Sequence, residues 1–243
     1  MIKGGQRIAT ATGVMLADPN GLGNAQPGAA ESLFDPDFWS ARSELTAVAG
    51  GRGSAWFVGS AAKPWVLRHY RRGGLIARIS EDRYWWSGED RVRSFAEWRL
   101  LLYLSQRGLN VPKPVAAFYR REKWTYRCDL LTQRIAHAQP LSALLSAGTL
   151  AESNWRAIGV AIAGLHLQGA DHADLNAHNI LLDPAGIVSV IDFDRGQLRT
   201  PGAWASRNLA RLRHSLRKIA AALPQERFTP ASWEALLAGY RAA

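Results

Sequence analysis

The sequence predicts an α+β chain with a small β-rich first lobe and a mainly helical second lobe. Strand-like runs crowd residues 55–132 around a single helical stripe, and helical patterns dominate from Trp155 onward. Strands first and helices afterwards, without strict alternation, point to segregated layers. At 243 residues the chain can bury one large core or two smaller ones. The expected organisation is an N-terminal arm at 1–35, partly flexible, a first lobe at 36–135 and a second at 136–243.

Taken in order, residues 1–35 are rich in Gly, Ala and Asn, with one short strand expected near Val14–Leu16. Two β-rich runs follow, Ala55–Val58 and Trp65–Tyr70, separated by Gly-Ser-Ala-Ala-Lys-Pro, which is a hairpin signal. Gly50, Gly51 and Gly53 sit just before the first of them. After the polar stretch RISEDRYWWSGEDRVR, the run from Ser94 carries Phe95, Trp98, Leu101, Leu102 and Leu104 on one helical stripe, stopped at Gly108. Val115–Tyr119 and Tyr126–Thr132 read as strands, and Leu141–Leu145 as the start of a short helix. Trp155–Leu167 reads as a buried helix containing Gly159 and Gly164. Ile187–Ile191 reads as a strand, and Ser206–Leu223 as a helix with a basic face at Arg207, Arg211, Arg213, Arg217 and Lys218. A last helix covers Ala231–Tyr240.

The charge is strongly one-sided, with 30 basic against 20 acidic residues and a net charge of +10. Five of the 30 are lysine, which leaves 25 arginines. Arginine presents a rigid fork of donors that matches phosphate and carboxylate. A partner rich in those groups is expected, and both nucleic acid and anionic membrane meet that description. Cys128 is the single cysteine, so an intrachain disulfide and a cysteine-held zinc are excluded, which suits a reducing compartment. Residues 1–30 lack the continuous apolar core of a secretory signal, and no apolar run reaches membrane-spanning length, so any membrane contact is expected to be peripheral. Most of the ten tryptophans are read as core, with Trp85 and Trp86 as interface candidates.

The chemistry concentrates in HADLNAHNILLD, His172–Asp183, and in VIDFD, Val190–Asp194. Two short strands, Ile180–Leu182 and Val188–Ile191, joined at Asp183-Pro184-Ala185-Gly186, would bring Asn179 and Asp192 to one end of a hairpin. Oxygen ligands placed so suit a hard cation such as Mg²⁺, which takes one or two protein ligands beside phosphate oxygens and water. Asp174, earlier in the loop, is placed to accept a proton from a substrate hydroxyl. His172 reads as a structural residue that orients the loop.

The H-x-D-L-x-x-x-N run followed by D-F resembles the signature of the protein-kinase-like superfamily. The resemblance implies a protein-kinase-like two-lobed fold, one kinase domain in all, with Asp174 as catalytic base and Asn179 and Asp192 as metal ligands. It also implies Gly50, Gly51, Gly53 and Ser54 as the loop over the ATP phosphates, Arg68 as the phosphate-binding cation and Glu97 as its anchor. Arg68 stands where the lysine is usual, Ala173 replaces the arginine before the catalytic aspartate, and Asn176 replaces a lysine. Asp194 replaces the glycine of D-F-G, and no A-P-E segment follows. These departures resemble a small-molecule kinase more than a protein kinase.

The runs VLRHYRRGG, EDRYWW, FAEWRLL, HADLNAHNILLD, IDFDRG and NLARLRHSLRK are similar to the 3-deoxy-D-manno-octulosonic acid (Kdo) kinases of the lipopolysaccharide kinase family, from Phe34 to the C-terminus. That resemblance implies ATP-dependent phosphorylation of the 4-hydroxyl of Kdo in Kdo–lipid A. It also implies a peripheral place on the anionic cytoplasmic face of the bacterial inner membrane. A monomer with no nucleic-acid partner is expected. Other readings are a kinase for heptose or another small molecule, or a nucleic-acid-binding protein on a degenerate kinase scaffold. The intact acidic trio and the lack of a base-reading module weigh against the last.

Overall fold

Residues 5–18, 22, 30–48, 55–72, 81–223 and 227–243 are described by the computed structural model. The chain divides into two compact units, Met1–Leu102 with Lys113–Arg134, and Tyr103–Pro112 with Ile135–Ala243.

In the first unit the apolar runs build one antiparallel sheet. Its strands are β1 (Gln6–Ala9), β2 (Val14–Ala17), β3 (Leu45–Val48), β4 (Ala55–Val58), β5 (Trp65–His69), β6 (Tyr84–Trp85), β7 (Pro114–Glu122) and β8 (Thr125–Gln133). Their order is β1-β2-β7-β8-β5-β4-β3, with β6 beside β8. The short helix α1 (Pro36–Ser40) starts on Asp35, whose side chain accepts from the Asp37 amide at 3.0 Å, with Pro36 in the first turn. Val115–Tyr119 of β7 is buried throughout, which explains why that run does not alternate. Helix α2 (Arg93–Ser105) is tied to it where the Ser94 hydroxyl donates to the Phe118 carbonyl at 3.1 Å, and Phe34 stacks on Phe118 at 5.1 Å. Met15, Trp39, Trp65, Leu67 and Leu131 complete this core.

The short strand expected near Val14–Leu16 is present as β2, and residues 6–17 of the expected arm are built into the sheet. There β1 and β2 form a hairpin, β2 pairs with β7 in the register Met15↔Phe118, and Met15 is buried. Tertiary pairing orders a stretch whose Gly-Ala-Thr composition has little local preference. The polar stretch after the second β run likewise contains β6, paired Trp85↔Thr125.

In the second unit β9 (Gln139–Pro140), β11 (Ile180–Leu182) and β12 (Val188–Val190) form one small sheet. Strands β10 (Ala170–Asp171) and β13 (Gln197–Leu198) form another. Helices α3 (Leu141–Ala147), α4 (Glu152–Leu167), α5 (Trp204–Ala220) and α6 (Pro230–Ala242) supply the bulk. Helices α4 and α6 pack backbone to backbone at two glycines. A Cβ on Gly159 would fall on the Leu236 carbonyl oxygen, and one on Gly239 would fall on the Arg156 carbonyl oxygen. Gly159 therefore sits mid-helix despite its poor helix propensity because only a bare Cα permits this approach.

Candidate active site

Strands β11 and β12 pair antiparallel with Ile180 opposite Val190, and the ladder extends one step as the Ile191 amide donates to the Asn179 carbonyl at 2.9 Å. The turn is closed by Asp183, whose side chain accepts from the Ile187 amide at 2.8 Å, and by Gly186 at φ 80. This register brings Asn179 and Asp192 to the same end of the hairpin. Asp192 takes a left-handed φ of 62, a conformation tolerated by aspartate and concentrated at functional sites.

Asp174 sits in the same framework through its backbone. Its carbonyl accepts from the Asn179 side-chain amide at 3.0 Å and from the Asn176 side-chain amide at 2.9 Å. Asn176 also accepts from the His178 amide at 2.8 Å, so the residue standing in place of a lysine braces the loop. The Asn179 amide nitrogen is spent on Asp174, which leaves its side-chain oxygen for a ligand. That oxygen and the Asp192 carboxylate are hard donors that could hold Mg²⁺ with phosphate and water completing the shell. Among the described residues no group of three or more His, Cys, Asp or Glu gathers around a cation position. A metal relying on one or two protein ligands needs none.

His172 joins the two halves of this framework. Its Nδ1 lies 3.2 Å from the Asp174 amide and its Nε2 lies 2.9 Å from the Ile191 carbonyl. An amide can only donate and a carbonyl can only accept, so the ring is the neutral Nε2–H tautomer. Phe193 packs against it at 4.7 Å. Burial pushes the pKa of His172 below its ordinary 6.5, outweighing the Ile191 hydrogen bond and the nearby Asp192 and Asp174 charges. The stability it supplies is whole above pH 6.5 and is lost as pH falls through that value towards the depressed one, where the unfolded chain holds the proton more readily. His69 opposes this. Burial lowers its pKa, but Asp129 and Asp82 outweigh burial and raise it, so its contribution is lost as pH rises through the raised value. Unfolding midpoints recorded against pH should therefore fall more steeply below pH 6.5 in the wild type than in His172→Gln. Equal slopes would contradict the neutral assignment.

Helix α5 braces this loop, which its sequence did not reveal. Asn208 accepts from the His172 amide at 3.0 Å and donates to the Asp171 carboxylate at 2.9 Å. Arg211 lies 3.1 Å from the Asp174 carboxylate, and the Ser215 hydroxyl accepts from the Ala177 amide at 3.2 Å. The spacing 208, 211, 215 is one helical face. Arg211, one of the arginines of the expected basic face, pairs with Asp174. The signal available was one polar residue, Asn208, on a stripe with buried Leu212 and Leu216.

In the first unit, β5 and α2 bring Arg68 and Glu97 together. The Arg68 guanidinium donates to Glu97 Oε2 at 2.6 Å, and the Tyr70 hydroxyl donates to the same oxygen at 2.5 Å. Glu97 is only 2% exposed. Four other carboxylates, Glu81, Asp82, Glu89 and Asp90, precede the helix that carries Glu97. Each has another cation: Arg71 for Glu81, Arg127 for Asp82, Arg7 for Glu89 and Arg99 for Asp90. Gly50, Gly51, Gly53 and Ser54 lie outside the described residues.

Residues 36–240 match the model of the Lipopolysaccharide kinase (Kdo/WaaP) family. The chain belongs to that family. Its relatives include three proteins named 3-deoxy-D-manno-octulosonic acid kinase. The Xylella fastidiosa (strain M12) protein is 51% identical over 188 residues, 77% of this chain and 75% of the relative. The Stenotrophomonas maltophilia (strain K279a) protein is 48% identical over 209 residues, 85% and 81% of the two chains. The Vibrio vulnificus (strain CMCP6) protein is 43% identical over 187 residues, 77% and 79%. The Kdo/WaaP family is protein-kinase-like, and the α+β architecture agrees with it. This member of the family is a phosphotransferase with an alcohol group as acceptor, and ATP use follows from the kinase family.

Proposed function

We propose that this chain transfers the γ-phosphoryl group of ATP to the 4-hydroxyl of Kdo in Kdo–lipid A, during lipopolysaccharide inner-core biosynthesis. It does so as a peripheral monomer on the anionic cytoplasmic face of the inner membrane. The relatives' name supplies the sugar acid. The observation that carries the reading is the hairpin register that gathers Asn179 and Asp192 at one end while Asn179 also holds the Asp174 carbonyl.

In this reading Asp174 orients the acceptor hydroxyl and takes its proton as the oxygen bonds to the γ-phosphorus. The bond to the β–γ bridging oxygen breaks and ADP leaves. Asn179 and Asp192 would hold Mg²⁺, which would supply charge neutralisation at the phosphates. Arg68, positioned by Glu97, and the amides at 51–54 grip the phosphates. Catalysis is then mainly positioning and charge neutralisation. Arg211, beside Asp174, receives the carboxylate that the acceptor's name requires, because its guanidinium can leave one carboxylate for another.

The test is transfer of label from γ-labelled ATP with Mg²⁺ to Kdo–lipid A, offered beside lipid A without Kdo. Label on the Kdo-bearing acceptor alone supports the reading, and NMR of the product assigns the hydroxyl. Label on neither overturns it. In the same assay Arg211→Gln should raise KM for the acid about tenfold, the weight of one charge-assisted hydrogen bond. It should leave KM for the carboxamide form of the acceptor nearly unchanged.

A further inference from the structure

The turn between β7 and β8 has two residues, Lys123 and Trp124, because Glu122 pairs directly with Thr125. Two-residue hairpin turns favour Asn and Gly, which tolerate positive φ. Here Lys123 takes φ 53, and Trp124 is 72% exposed. Trp85, opposite Thr125 on β6, is also 72% exposed. Between them Trp86, the other expected interface residue, is half-buried, its amide donating to the Trp124 carbonyl at 2.9 Å. Two of the largest apolar side chains are thus bare at one end of one sheet, and local turn preference is broken there without any gain in packing.

The surroundings are cationic. The Arg121 guanidinium lies 4.6 Å from the Trp86 ring centre and donates to the Lys123 carbonyl at 3.0 Å. The acidic neighbours are already engaged. Glu122 pairs with Arg83 at 2.6 Å and Arg127 at 2.8 Å, and Asp82 pairs with Arg127 at 2.8 Å. The exposed charges of Lys123 and Arg121 are left in excess.

We infer that this hairpin tip docks on an anionic phospholipid surface, with Trp124 and Trp85 in the interfacial layer and the cations on lipid phosphates. Tryptophan favours a zone where one edge is apolar and the other wet. Basic side chains add attraction to anionic headgroups. A stable protein partner would need on the order of 800 Å² from this side, more than a two-residue turn and one neighbouring tryptophan offer. No helix among the described residues is long and apolar enough to cross a membrane, so docking at the surface needs such a device. The inference rests on the peripheral-membrane part of the proposed function.

The experiment is co-sedimentation of the full chain with vesicles of mixed phosphatidylethanolamine and phosphatidylglycerol, and with phosphatidylcholine vesicles. The wild type should prefer the anionic vesicles and lose binding as salt rises. The double variant Trp85→Ser, Trp124→Ser should bind about tenfold less, and so should Arg121→Glu with Lys123→Glu. Exposed positions of this kind should leave unfolding midpoints and phosphorylation of a water-soluble Kdo acceptor unchanged. Undiminished binding by both variants overturns the hairpin tip and keeps the membrane reading. No wild-type preference for anionic vesicles overturns both. A concentration-dependent dimer lost in the tryptophan variant, without vesicle binding, would make a second copy the occupant and also overturn the inference.

Discussion

Asp174→Ala should lower phosphoryl transfer by about three orders of magnitude, the range of a positioned general base, while ATP still binds. The structure separates the chemistry of this residue from its structural work. Its backbone carries the loop, taking Asn176 and Asn179 at the carbonyl and giving its amide hydrogen to His172. Its side chain is 56% exposed and meets Arg211. Truncation therefore removes a carboxylate and leaves the scaffold, so the unfolding midpoint should hardly move. Transfer of label, nucleotide binding and thermal unfolding on one preparation check all three claims. A variant that turns over normally would remove Asp174 from its role, and one that loses nucleotide binding and stability together would make it structural.

What the sequence disclosed follows the range of the interactions. The β11–β12 hairpin and the Asp174–Asn179 loop are local, with their partners a few residues apart, and both were legible in His172–Asp194. The Arg68–Glu97 pair spans 29 residues, and sequence reached it only through resemblance to a kinase. Composition could not choose Glu97 over four nearby carboxylates, whereas burial and a cation for each of the others do. Asn208 and Arg211 were missed because a helix with alternating arginine and leucine looks the same whether its polar face meets water or a loop 36 residues earlier in the chain. The pairing of β2 with β7 was missed for the same reason, since its partner lies about a hundred residues away and neither strand encodes the other locally.

Glu97→Ala should lower the unfolding free energy by about 3 kcal/mol, the lower end of the cost of breaking a buried pair. Glu97 is nearly fully buried, and its Oε2 serves both Arg68 and Tyr70, so the substitution removes a carboxylate that two donors share. Stability loss alone would not show what the pair is for, because any buried ion pair behaves this way. The informative variant is Arg68→Met with Glu97→Leu. Replacing both charges by apolar groups of similar volume is often neutral or stabilising, so this protein should recover the part of the loss that the isolated Arg68 charge causes, while the Tyr70 hydroxyl still lacks the Glu97 acceptor. If Arg68 grips the phosphates, the repaired protein should still transfer phosphate at least a hundredfold more slowly, a loss of about 2.7 kcal/mol in transition-state stabilisation. A stable double variant with wild-type transfer would reduce the pair to architecture and send the search for the phosphate cation elsewhere in the chain. The single and double variants together therefore separate a phosphate grip from architecture at one 2.6 Å contact.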